Sequence, residues 1–196
     1  MALLDDIDEI LIPADALAAR VRELGEKISR DYEGKEPLLV AILTGAVLFV
    51  SDLIRRISIP CHLDFMATSA YGDGTESTGV VRILKDLNQP IEGRHVIIVD
   101  DIIDTGLTMD YLLETLKPRY PASLRVCGLL DKVSRRRRHV PIDYRGFEIP
   151  DKFVVGYGLD FGERYRNLPF ICVLKSEVYG ARPFADTAQP APFSVR

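Results

Sequence analysis

The apolar runs of this chain are short and sharply bounded, and their spacing separates strands from helices. "PLLVAIL" (37–43) is apolar throughout, as expected for a strand buried on both faces. "HLDFMAT" (62–68), "VVRIL" (80–84), "HVIIVDD" (95–101), "LRVCGLL" (124–130), "KFVVGYG" (152–158) and "FICVL" (170–174) read as further strands. In "ADALAARVRELGEKISRDY" (14–32), Leu17, Val21, Leu24 and Ile28 step by four, three and four, which puts them on one face of a helix. Asp15 stands where it can cap that helix. Helical stretches are also expected over 48–57 and in "LTMDYLLETLKPRY" (107–120), the second stopping near Pro118. Strands alternating with helices predict an α/β fold, with a mainly parallel sheet covered on both faces. Between two of the strands lies "SAYGDGTESTGVV" (69–81), rich in Gly, Ser and Thr and without periodicity. It is long for a connection, which points to a flexible functional loop.

Composition narrows the class. The 196 residues fit one domain, able to bury a full core without disulfides or metals. No apolar run is long enough to span a bilayer, and the acidic start "MALLDDIDEI" is unlike a signal peptide. A net charge of −4 argues against a nucleic-acid partner held over the whole surface. Cys61, Cys127 and Cys172 lie far apart without metal spacing, as expected for small buried thiols in a reducing cytoplasm. The run Arg135, Arg136, Arg137, Arg138 is expected to be a solvated loop face. The Pro- and Ala-rich segment 181–196 is expected to be a poorly ordered tail on a single domain of 1–180.

The chemistry concentrates in "VIIVDDIIDTGLTM" (96–109). A buried strand runs into Asp100 and Asp101. Asp104, Thr105, Gly106 and Thr108 follow before a helix that begins near Leu107. In a parallel sheet, ligands bind beyond the carboxyl ends of the strands. The free amides of the first helical turn attract an anion, Gly106 lets the backbone approach it, and the threonines add hydroxyl donors. Acids beside a phosphate site would repel it, unless ribose hydroxyls or Mg²⁺ lie between them. The pattern therefore suits a sugar phosphate with a metal. A helix-capping Asp-Thr pair with two surface acids would leave the acids at the end of the most buried strand unexplained.

This stretch resembles the phosphoribosyl-pyrophosphate signature of type I phosphoribosyltransferases. Over about 10–179 the chain resembles the hypoxanthine-guanine phosphoribosyltransferases in their short bacterial form. "LTGA", "SAYGDGTESTG", "VDDIIDTGLT" and "LLDK…FVVGYGLDFGERYRNLP" appear in the family's order. The resemblance implies a twisted, mainly parallel sheet, a small hood built from the N- and C-terminal segments, and a flexible active-site loop. It implies phosphoribosyl pyrophosphate and a 6-oxopurine as substrates, Mg²⁺ as cofactor, a homo-oligomer (dimer or tetramer) and a cytoplasmic location.

Carried over by position, Asp100 and Asp101 hold the ribose hydroxyls, directly or through the metal. Asp104 is the general base near purine N7, and Asp104, Thr105, Gly106, Leu107 and Thr108 form the 5-phosphate loop. Thr44 and Gly45 bind pyrophosphate through main-chain amides, after a bond at Leu43–Thr44 that is often cis in relatives. Arg166 grips pyrophosphate and Asp160 binds the metal through water. Lys132 donates to the purine O6. Phe153 and Ile102 cover the two faces of the base, and the backbones of Val154 and Asp160 face its edge. Ala70 and Tyr71 belong to the lid. The chain departs from the family pattern at Thr44, often Lys, at Ala70, usually Ser, and at Asp100, usually Glu. Two alternatives stay open: a xanthine-preferring enzyme, and a phosphoribosyl-pyrophosphate sensor that binds RNA.

Overall fold

The computed structural model describes residues 3–71 and 80–179. Its main sheet has six strands: β2 (Leu38–Leu43), β3 (His62–Tyr71), β4 (Val80–Lys85), β5 (His95–Ile103), β6 (Ser123–Asp131) and β7 (Tyr144–Glu148). They lie in the order β4-β3-β2-β5-β6-β7, and every neighbouring pair is parallel except β3 with β4. A second sheet, wholly antiparallel, joins β1 (Ile7–Ile12) to β9 (Ile171–Leu174) and β8 (Val154–Val155). It thus ties the first described strand to the last.

The consecutive apolar residues of β2 and β5 feed two cores at once, because alternate side chains point to opposite faces. Leu39, Ala41, Ile97 and Val99 pack with α1 (Ala14–Asp31) and α2 (Val47–Ile54). Leu38, Val40, Ile42, Val96 and Ile98 pack with α3 (Leu107–Leu116). Helix α1 buries Leu17, Val21, Leu24 and Ile28, the face that its spacing predicts. Its N-cap is Pro13, with φ −71°, so Asp15 does not cap the helix. Asp15 lies within the first turn, where its carboxylate accepts from the amide of Ala16.

Two expectations about elements change, and two strands appear for which there was none. "KFVVGYG" is a strand only at Val154–Val155. Gly156, Tyr157 and Gly158 all take positive φ and turn the chain out of the sheet. Strands β1 and β7 lack a clear apolar signature. β1 has one fully buried position, and β7 carries Gly146, where a Cβ would collide with the backbone of Leu129. Of 69–81, the ends join strands β3 and β4, pairing Tyr71 with Val80. The rest of the expected loop, 72–79, lies outside the described residues, as does the expected tail.

The β3–β4 pair is held at its base by Asp64, which is buried in the strand. Burial alone would raise its carboxyl. The amides of Asn88 and Phe65, with Lys85, outweigh that and hold it below the usual carboxylate range. Cys127 and Cys172 are buried and Cys61 half-buried, all free thiols whose burial pushes them upward. Among the described residues no helix is long and apolar enough to cross a membrane.

Helix α3 is fastened by Met109, Leu112 and Leu116, none more than 1% exposed. Leu112→Ala leaves a cavity under the helix that starts the predicted anion loop. Its unfolding free energy should fall by about 2–5 kcal/mol, measured by denaturant titration.

Candidate active site

The carboxyl ends of β2, β5 and β6 converge, and most of the expected site residues sit on the loops that leave them. Asp100 is 8% exposed and Asp101 is partly open, and both lie inside β5 rather than beyond it. Burial pushes the Asp100 carboxyl well above the ordinary range, and the neighbouring charge of Asp101 adds to it. Burial also raises Asp101, while Asp100, the Ile102 amide and the charge of Arg166 draw it back. The Asp101 carboxylate stands directly over Gly45, where any Cβ would collide with it. Thr44 and Gly45 follow a cis Leu43–Thr44 bond at the end of β2.

Gly45 is clamped from its other side. Gly158 approaches the Gly45 carbonyl so closely that a Cβ at Gly158 would collide with it, and its φ of +106° is open to glycine. Arg166 donates to the Gly158 carbonyl at 2.8 Å and pairs with Asp160 at 2.9 Å. Thr44, Gly45, Asp101, Asp160 and Arg166 therefore belong to one neighbourhood, with Gly158 as its point of contact. Sequence reasoning missed Gly158. Its signal was the pair of glycines two apart inside an apparent strand. Among the described residues no three acid, histidine or cysteine side chains converge closely enough to hold a metal ion by themselves.

Beyond β5 the chain turns through Asp104 and Thr105 to Gly106, at φ +84°, which is the N-cap of α3. A Cβ there would press on the carbonyl of Arg138. The Thr105 hydroxyl accepts weakly from the Leu107 amide at 3.4 Å, and the Thr105 carbonyl accepts from the amides of Arg137 and Arg138. Thr105, Leu107 and Thr108 stay partly open at the positive end of the helix dipole.

Lys132 directly follows β6 and is 4% exposed. Its ammonium lies 4.0 Å from Asp104 and 3.9 Å from Asp151. Burial lowers it below the usual lysine range, and the two carboxylates work against that shift. The arginine run is not a solvated face, which corrects the expectation for half of it. Arg135 turns inward to Asp104 at 3.1 Å and Asp151 at 3.7 Å. Arg136 pairs with Asp131, which is 1% exposed and also meets Arg145 at 2.9 Å. A carboxylate so deep in the protein needs such partners, because an unpaired buried charge is costly. Arg137 and Arg138 remain exposed.

Phe153 is partly buried and meets Phe161 edge to face at 5.7 Å between ring centres. Val154 is buried in β8, pairing with Val173. Ile102 is partly buried against the α1–α2 core. Ala70 and Tyr71 end β3 in backbone pairing with β4, and their side chains lie outside the described residues.

A carboxyl raised on folding holds its proton where the unfolded chain has lost it. Folding then takes up a proton, so the Asp100–Asp101 pair costs stability as pH rises above the ordinary carboxylate value of about 4. Asp100→Asn should therefore raise the Tm of the protein at pH 7 in EDTA, by about 2–4 °C for each kcal/mol relieved. The gain should shrink towards about pH 4. A calorimetric Tm that is unchanged or lower at pH 7 refutes the account.

The phosphoribosyl transferase domain family matches residues 8–162. The chain is 51% identical over 180 residues to the hypoxanthine-guanine phosphoribosyltransferase of Mycobacterium avium, covering 89% of each. It is 48% identical over 175 residues to the bifunctional protein TilS/HprT of Listeria monocytogenes; those residues are 89% of this chain but 27% of that longer relative. In structure it resembles a hypoxanthine phosphoribosyltransferase from Staphylococcus aureus, with a TM-score of 0.88 and 46% identity over 91% of this chain and 97% of the other. The chain belongs to the phosphoribosyl transferase domain family.

Proposed function

We propose that this chain is a purine-salvage phosphoribosyltransferase, joining hypoxanthine or guanine to the ribose of phosphoribosyl pyrophosphate and releasing pyrophosphate. One observation carries the reading: a buried lysine and an acid, Lys132 and Asp104, lie 4.0 Å apart beside the N-terminal end of α3. Together they offer a donor for a 6-oxo group and an acceptor for a ring proton, next to a phosphate cradle. The names of the relatives agree with it. An RNA-binding sensor is not favoured, since Arg135 and Arg136 are spent on ion pairs within the protein.

In this reading the loop of Asp104, Thr105, Gly106, Leu107 and Thr108 cradles the 5-phosphate with backbone amides and threonine hydroxyls. Asp100 and Asp101 take the ribose hydroxyls. Pyrophosphate lies on the amides of Thr44 and Gly45 with Arg166, whose planar fork suits phosphate oxygens. The base sits between Phe153 and Ile102, with Lys132 at O6 and the backbones of Val154 and Asp160 along its edge. Ala70 and Tyr71 begin the lid that excludes water. The hood corresponds to the sheet of β1, β9 and β8.

Mg²⁺ fits a pair of adjacent carboxylates whose ionised forms burial disfavours. Asp100 and Asp101 would hold it, with Asp160 acting through water. Few protein ligands suffice, because Mg²⁺ keeps waters and phosphate oxygens around it. When bound, it would supply positive charge to offset that of the leaving group. The C1–oxygen bond of the sugar lengthens and C1 gains oxocarbenium character, which the nearby carboxylates stabilise. Purine N9 forms the new bond to C1 from the opposite face. The ring proton passes to Asp104, and the electron pair of the broken bond leaves with pyrophosphate. A homo-oligomer in the cytoplasm completes the reading.

Two measurements test this. With phosphoribosyl pyrophosphate and Mg²⁺, a spectrophotometric assay should show turnover of hypoxanthine or guanine and none of adenine or uracil. Turnover of adenine would remove Lys132 as the O6 reader, and silence on every base with phosphoribosyl pyrophosphate still bound would return the sensor. Asp104→Asn should lower kcat by about 10²–10⁴-fold while phosphoribosyl pyrophosphate binds nearly as before. Lost binding instead would make Asp104 a ligand of the sugar phosphate.

A further inference from the structure

Lys132 is buried far beyond the habit of lysines, so its charge depends on what faces it. Three charged groups do. The carboxylates of Asp104 and Asp151 stand 4.0 and 3.9 Å from the ammonium. The guanidinium of Arg135 spans the same two acids, at 3.1 Å from Asp104 and 3.7 Å from Asp151. Two cations and two anions thus alternate around the end of β6.

The two acids come from different segments. Asp104 leads into α3. Asp151 lies between β7 and β8, in a stretch fastened to the end of β6 by the Ile149 amide, which donates to the Asp131 carbonyl at 3.0 Å. Asp104 has a second task in the proposed reaction, since it must face the ring nitrogen of the base. While it does so, Asp151 is the carboxylate that still faces Lys132.

We propose, on the basis of the 6-oxopurine reading, that Asp151 is a specificity-determining positioning residue: its charge keeps Lys132 an ammonium, so that the purine 6-position meets donors alone. An ammonium has three donors and no acceptor. A neutral amine keeps a lone pair, which can accept from the 6-amino group of adenine. Discrimination between 6-oxo and 6-amino purines then rests on a residue that need not touch the base.

The direction of the electrostatics agrees. Burial draws Lys132 down, Asp104 and Asp151 oppose it, and Arg135 adds to the depression. Removing the charge at 151 leaves burial and Arg135 opposed by Asp104 alone. Asp151 is half exposed, so water screens its charge, and a shift of about one pH unit is expected.

The test uses wild type, Asp151→Asn and Asp151→Glu. In Asp151→Asn, the alkaline limb of kcat/KM for hypoxanthine should move down by about one pH unit. The change should fall mainly on the KM of the base, with the KM of phosphoribosyl pyrophosphate unaltered. Above the new limb, relative turnover of adenine should rise, and Asp151→Glu should restore the wild-type profile. In parallel, NMR titration of the Lys132 ε-methylene in the substrate-free protein should show it losing its proton about one pH unit lower in Asp151→Asn. An unshifted Lys132 titration overturns the proposal whatever the assay shows. An equal loss at every pH and for both substrates also overturns it, by making Asp151 a structural prop. If the wild type turns over no 6-oxopurine, the functional reading fails separately, and the titration still decides whether Asp151 holds the proton on Lys132.

Discussion

Everything at this site depends on placing two like charges side by side at the end of a buried strand. Asp100 and Asp101 sit where β5 is flanked by β2 and β6, and neither can turn fully to water. The strand tolerates them because Val96, Ile97, Ile98 and Val99 behind them are completely buried. Each such side chain contributes about 1.5–3 kcal/mol, so the four together outweigh a pair penalty of several kcal/mol. The pair is therefore a stored electrostatic cost in the protein, and a cation or hydroxyl donors at that point would relieve it.

The neighbouring segments are shaped by the same acids. Gly45 has no side chain because the Asp101 carboxylate occupies that space, and Gly158 has none because the Gly45 carbonyl does. A chain of close backbone approaches thus runs from the end of β5 to Arg166, which closes it by donating to the Gly158 carbonyl. Glycines at such positions serve approach rather than flexibility. The cradle is consequently made of backbone that cannot easily shift.

A second charged layer lies on the other side of Asp104. The loop that follows β6 sends Lys132 and Arg135 towards Asp104 and Asp151, and Arg136 towards Asp131. Its next two amides hold the carbonyl of Thr105. One short basic segment therefore supports both the turn that leads into α3 and the charged cluster around Lys132. That economy explains why four consecutive arginines are not a surface patch, although only two of them are turned inward.

The sequence by itself determined the elements whose signal is local. Unbroken apolar runs marked β2, β5 and β6, the four-three-four step marked the buried face of α1, and "DDIIDTGLT" held an acid pair, a glycine turn and a helix start within a few residues. Only the tertiary structure decided which distant groups meet. It cut "KFVVGYG" to two residues of strand, joined β1 to β9, set Gly158 on Gly45, and gave Asp131 and Asp151 their cationic partners. The physical reason is range. Periodicity and turn chemistry act within a few residues and leave their mark in the order of the chain. The choice of a charge partner or a close approach depends on sheet order and on loops that return from far along the sequence, and no local pattern carries that information.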